Sequence, residues 1–149
     1  MASEVTKQRT RDEWRELGFF YDRDDHSREW RVVGSRKGFH KFAELLRAYA
    51  RNPRNAGMSE HDHYGPYMYL KIMTWPEQGM DANVIFGPVE KLAELADIVE
   101  REIVSAEPGE IRCIRDQFSS KAEYKLVLEL RAEEFDPASA DMSISSEAG

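Results

Sequence analysis

From Phe39 to Ala50 an apolar series runs through Phe39, Phe42, Ala43, Leu46, Tyr49 and Ala50. This is the 3.6-residue rhythm of a helix with one buried face. Ser35 can cap its start, and Pro53 ends it. A second stripe runs through Val89, Leu92, Ala96, Val99 and Ile103. Gly87-Pro88 opens it and Pro108-Gly109 marks its end, so a second amphipathic helix is predicted there.

Between and around these helices the pattern changes to strands. "LGFFYDRDDHSREWRVVG" predicts a hairpin: an aromatic strand through Phe19, Phe20 and Tyr21, an Asp/Ser turn, and a return strand through Trp30 and Val32 that stops at Gly34. "RNPRNAGMSEHDH" predicts a polar loop, and "YMYLKIMTW" a strand from Tyr67 to Trp75. On that strand Tyr67, Tyr69, Lys71 and Met73 would share one face. "ANVIF", "EIRCIRD" and "EYKLVLELRAE" complete the strands. The order is β-β-α-β-β-α-β-β. It predicts an α+β fold: a mainly antiparallel sheet of about six strands with two helices on one face.

The polar residues 1 to 13 are expected to be a flexible lead, and the small, aperiodic residues 136 to 149 a disordered tail. One domain over residues 14 to 135 remains. Its halves rhyme. "KFAELL" (41 to 46) matches "KLAELA" (91 to 96), and "YLKI" (69 to 72) is echoed by "YKLV" (124 to 127). Two such units would form a sheet with approximate twofold symmetry.

The helix pattern Gly34, Gly38, Phe39, Phe42, Ala43, Leu45, Leu46, followed by a polar loop holding His61 and His63, resembles small bacterial immunity proteins of polymorphic toxin systems. The similarity covers about residues 31 to 75. It implies an intracellular binding protein without catalysis. This chain departs from that group in its length, its leading hairpin and its second unit.

Composition narrows the function classes. The net charge of −7 repels phosphate backbones, so nucleic acid is not an expected partner. No run of 18 apolar residues occurs, and the polar start lacks a signal core. A cytoplasmic location is expected, with no membrane contact. The one cysteine, Cys113, lies between Ile111 and Ile114 and is expected to be buried and inert.

His61-x-His63 is the strongest chemical pair, because alternate residues on an extended segment share a face. No histidine follows His63 and no second cysteine exists. A third ligand would have to come from Asp24, Asp25, His26 or His40, so neither a metal nor another cofactor is expected. No nucleophile motif or phosphate loop is present, and no catalytic residue is assigned. The expected site is a binding rim of His61, His63, Tyr64, Tyr67, Tyr69, Lys71 and Trp75. Tyr and Trp offer large contact area at low entropy cost. The expected partner is another protein or a second copy of the chain. The alternative is a small enzyme or ligand-binding protein that uses His61, His63 and the tyrosines in a pocket.

Overall fold

The computed structural model describes residues 3–145. The fold is α+β, with two four-stranded sheets and a central pair of long helices. The expected single sheet of about six strands is corrected to eight strands in two sheets. The additional strands, His61–Tyr64 and Gly79–Met80, are short edge segments without an apolar run.

The chain begins with α1 (Glu4–Leu17), where a flexible lead was expected. Ser3 caps it by accepting from the Thr6 N–H, and the Gly18 N–H bonds the Trp14 carbonyl at its end. Its buried positions are Lys7, Thr10 and Trp14, at helical spacing. Two of these three are polar by name, so no apolar stripe announces the helix. The Lys7 stem and the Thr10 methyl can line a core as hydrocarbon does.

The hairpin β1 (Phe20–Asp24) and β2 (Glu29–Gly34) follows, paired from Phe20↔Val33 to Asp24↔Glu29. Asp24 accepts the His26 and Ser27 N–H groups across the turn. Then come α2 (Arg36–Arg51), β3 (His61–Tyr64), β4 (Leu70–Thr74), β5 (Gly79–Met80) and β6 (Ile85–Gly87). The chain continues through α3 (Val89–Val104), β7 (Ile111–Ile114) and β8 (Lys125–Leu130).

The first sheet has the order β1-β2-β8-β7 and the second β3-β4-β6-β5. In each the central pair is parallel, β2 with β8 and β4 with β6; the outer pairs are antiparallel. Each half of the chain therefore contributes one hairpin to each sheet.

Helices α2 and α3 pack against each other in opposite directions. Arg36, at the start of α2, donates to the Ile103 carbonyl near the end of α3, and Arg47 pairs with Asp97. Their buried faces are the expected ones: Phe39, Phe42, Ala43 and Leu46 on α2, and Leu92, Ala96, Val99 and Ile103 on α3. Burying each large aliphatic or aromatic side chain contributes about 2 kcal/mol. Gly38 lets the start of α2 approach the end of α1, since a Cβ there would lie 2.5 Å from the Gly18 carbonyl oxygen.

After β8 the chain folds back over α1. A 3-10 turn (Pro137–Ala140), capped by Asp136, leads into the short α4 (Met142–Ser145). Arg15 on α1 grips the Asp136 carboxylate with two nitrogens, at 3.2 and 3.0 Å. Ala138 and Ile144 are buried. The expected disordered tail is thus ordered as far as Ser145, and its last four positions lie outside the described residues. No helix among the described residues is long and apolar enough to cross a membrane.

Candidate functional site: an aromatic cleft and the ridge beside it

The segment between β3 and β4 is the least ordinary backbone in the molecule. Gly65 turns with φ +76°, and a Cβ there would meet the Tyr21 ring at 2.7 Å. Tyr67 and Met68 follow at φ 67° and 58°, the left-handed region that bulky residues avoid. Strand β4 therefore starts only at Leu70, three residues later than its Tyr-rich sequence suggests. Tyr67 and Tyr69 do not extend the strand face of Lys71 and Met73, as expected from alternation. They stand on a tight turn instead.

This turn lifts three large side chains into solvent: Tyr67 is 47% exposed, Met68 56% and Tyr69 67%. Strained backbone that presents apolar groups to water is costly on both counts, so something must hold it. Two anchors do so. From below, the buried Tyr21 hydroxyl lies 2.7 Å from the Tyr64 carbonyl and 2.9 Å from that of Pro66. Burial raises the Tyr21 pKa to about 12. From the side, the Tyr67 hydroxyl donates to Asp141 at 2.7 Å.

Asp141 is the keystone of this arrangement. Its Oδ2 accepts from Tyr67 and from the Trp14 indole nitrogen at 2.8 Å. Its Oδ1 accepts the Ser143 N–H at 3.0 Å and the Ser143 hydroxyl at 2.7 Å. Burial by itself would raise the Asp141 pKa, but these donors overcome it and hold the carboxyl below its ordinary value.

On one side of the ridge lies a cleft of about 690 Å3. Its walls include Trp14, Phe20, Tyr21 and Trp30, closed by Tyr67 and Tyr69. The rings meet edge-on or tilted, with Trp14 4.8 Å from Phe20 and 5.1 Å from Tyr21. Asp22 and Arg23 add charge at the mouth. Asp22 is clamped by Arg31 through two 3.0 Å bonds. The Arg23 guanidinium sits 5.9 Å from the Trp30 ring centre and pairs with Asp25. On the other side of the ridge, below Met68, a shallower groove carries Glu13, Glu16 and Glu44 against the single Lys41.

Of the expected rim residues, only Tyr67 and Tyr69 line the cleft. His61 and His63 lie on β3, the edge of the second sheet, rather than in a loop. Both are exposed and share a face, as period-two alternation requires. Lys71 joins that face, directly opposite His63 in the register. Tyr64 is half-buried on the opposite face with Asp62, which pairs with Arg54 at 2.6 Å. Trp75 is exposed just beyond β4. Cys113 also corrects its expectation: it is exposed, because β7 is an edge strand whose Ile111–Cys113 face turns outward.

Trp14, Trp30 and Asp141 are the site residues that sequence reasoning missed. Each has a polar handle, and Asp141 sits in the tail expected to be disordered. Compared with known proteins, the chain matches no family model, no curated protein and no solved structure.

Proposed function

We propose that this chain is a non-enzymatic, cytoplasmic binding protein that acts by covering part of another protein. The observation that carries this reading is the ridge: Tyr67, Met68 and Tyr69 raised into solvent on left-handed backbone that buried anchors hold in place. A fold that gained nothing from this turn would relax it. Exposed aromatics beside a pre-formed cleft match the anchors that dominate protein interfaces.

Charge narrows the partner. Glu13, Glu16 and Glu44 outnumber Lys41 in the groove beside the ridge, Asp22 at the cleft is paired with Arg31, and the chain carries −7 overall. A basic protein surface complements that field and associates faster for it. Immunity-like neutralisation of a bacterial toxin is the most specific form of this reading, and rests on the resemblance of the Gly34–Leu46 segment. The crosswise use of hairpins in the two sheets and the "KFAELL"/"KLAELA" pair further support reading the halves as a repeat.

The test is co-expression with a toxin encoded beside the gene. Survival that is lost in a Tyr67→Ser/Tyr69→Ser variant with an unchanged fold is the expected result. Equal survival in the variant, or no protection by the parent, counts against it. A second reading, a small-ligand site, is favoured by the cleft itself, whose volume of about 690 Å3 falls within the usual range for ligand pockets.

A further inference from the structure

We infer that His61, His63 and Met73 form an open, three-donor surface site for a soft transition metal, copper(I) foremost. The site lies on the edge of the second sheet and touches the ridge only through the Met68 carbonyl, which holds His63; its test reads copper(I) and not partner binding.

Three observations carry it. The first is spacing. The two imidazole centres lie 5.3 Å apart with their planes at 89°. With metal–nitrogen bonds of about 2.0–2.1 Å, two rings sharing one tetrahedral ion hold their centres about 5 Å apart.

The second is orientation. His61 Nδ1 lies 3.0 Å from the Ser59 carbonyl, and His63 Nδ1 lies 3.0 Å from the Met68 carbonyl. A carbonyl only accepts, so each Nδ1 carries the hydrogen and each neutral ring keeps its lone pair on Nε2. This is the arrangement by which backbone carbonyls orient metal-binding histidines. Both carbonyls belong to non-glycine residues at positive φ, Ser59 at 71° and Met68 at 58°. Left-handed backbone therefore orients both rings of the pair.

The third is the cross-strand neighbour. Met73 on β4 stands directly opposite His61, and so on the same face. Among the described residues no group of three or more His, Cys, Asp or Glu side chains could hold a metal. Asp62 points to the other face and is held by Arg54. The Met73 thioether, opposite His61 in the register, is the third donor this face offers.

Two imidazoles and a thioether suit a soft ion, and thioether sulfur selects copper(I) over the harder divalent metals. The remaining neighbour points the same way. Lys71, opposite His63, places a positive charge on this face. Its repulsion is smaller for a singly charged ion than for zinc(II).

The experiment uses the full chain carrying Cys113→Ser, because the exposed thiol would bind copper(I) by itself. Copper(I) is titrated anaerobically against a chromophoric chelator, with circular dichroism as the control for folding. The expected result is one copper(I) per chain, weakened about 10-fold or more by His61→Ala or His63→Ala, as loss of a ligand requires. Met73→Leu weakens binding by several-fold, and Lys71→Ala tightens it. Zinc(II) competes poorly. The inference is overturned if the Cys113→Ser protein does not take up copper(I), or if the histidine variants bind it as the parent does. Unchanged affinity in Met73→Leu overturns the three-donor site.

Discussion

The Trp14 indole nitrogen and the Asp141 carboxylate meet at 2.8 Å across 127 residues of sequence. That bond ties the first helix to the last turn. The Tyr67 hydroxyl, bound to the same Oδ2, ties both to the ridge. Asp141→Ala would strand the buried Trp14 N–H and release Tyr67. Leaving a buried donor unpaired costs about 1–3 kcal/mol. A loss of that size in urea unfolding is expected, with a smaller loss for Asp141→Asn, which keeps one acceptor.

Acid should report on the same group. The Asp141 pKa is lowered in the folded chain, so its contribution is present above the unfolded carboxylate value and is lost as pH falls through the folded one. Stability of the parent should therefore decline through the acid range more steeply than that of Asp141→Asn. Chemical denaturation at a series of pH values below neutrality measures the difference. Parallel declines would count against the role given to Asp141.

Alkali probes the other anchor. Tyr21 is raised from its ordinary 10.0 to about 12 by burial. Its contribution is fully present below 10.0 and is lost as pH rises through about 12. Tyr49, Tyr64, Tyr67 and Tyr124 are raised as well, so spectrophotometric titration should show several tyrosines ionising late, and Tyr21→Phe should remove one of them, near 12. Tyr21→Phe also leaves the Tyr64 and Pro66 carbonyls without this donor, at a cost of about 1 kcal/mol.

Met68 separates stability from function. Its side chain is mostly in water and its φ of 58° suits glycine. Met68→Gly should relieve strain and raise stability by about 0.5–1 kcal/mol while weakening partner binding. Gly65→Ala should do the reverse to the fold, since φ +76° and the Tyr21 ring both oppose a Cβ. Thermal unfolding of the two variants compares them directly.

These anchors explain which parts of the molecule could be read in the sequence. Helices α2 and α3 were legible because their buried faces are hydrocarbon at helical spacing, Phe39 to Leu46 and Leu92 to Ile103. Helix α1 was not, because Lys7 and Thr10 occupy its buried face. Strand propensity placed Tyr67 to Tyr69 in a strand, but Gly65-Pro66 and the grip of Tyr21 and Asp141 override it. Cys113 looked buried beside Ile111 and Ile114, yet only Ile114 is buried, since an edge strand leaves one face to solvent. The candidate site was half visible. Its exposed tyrosines stood out by residue type, while Trp14, Trp30 and Asp141 join it only through long-range contacts.

The ridge as a partner-binding face is the central claim, and site-specific photocrosslinking tests it most directly. A photoreactive phenylalanine analogue is placed at Met68 and, separately, at the exposed Glu123, which lines neither the cleft nor the groove, in cells that naturally express the chain. The account predicts one dominant protein adduct from position 68, lost when Tyr67→Ser and Tyr69→Ser are added, and none from position 123. No adduct at 68, or the same adducts from both positions, would contradict it.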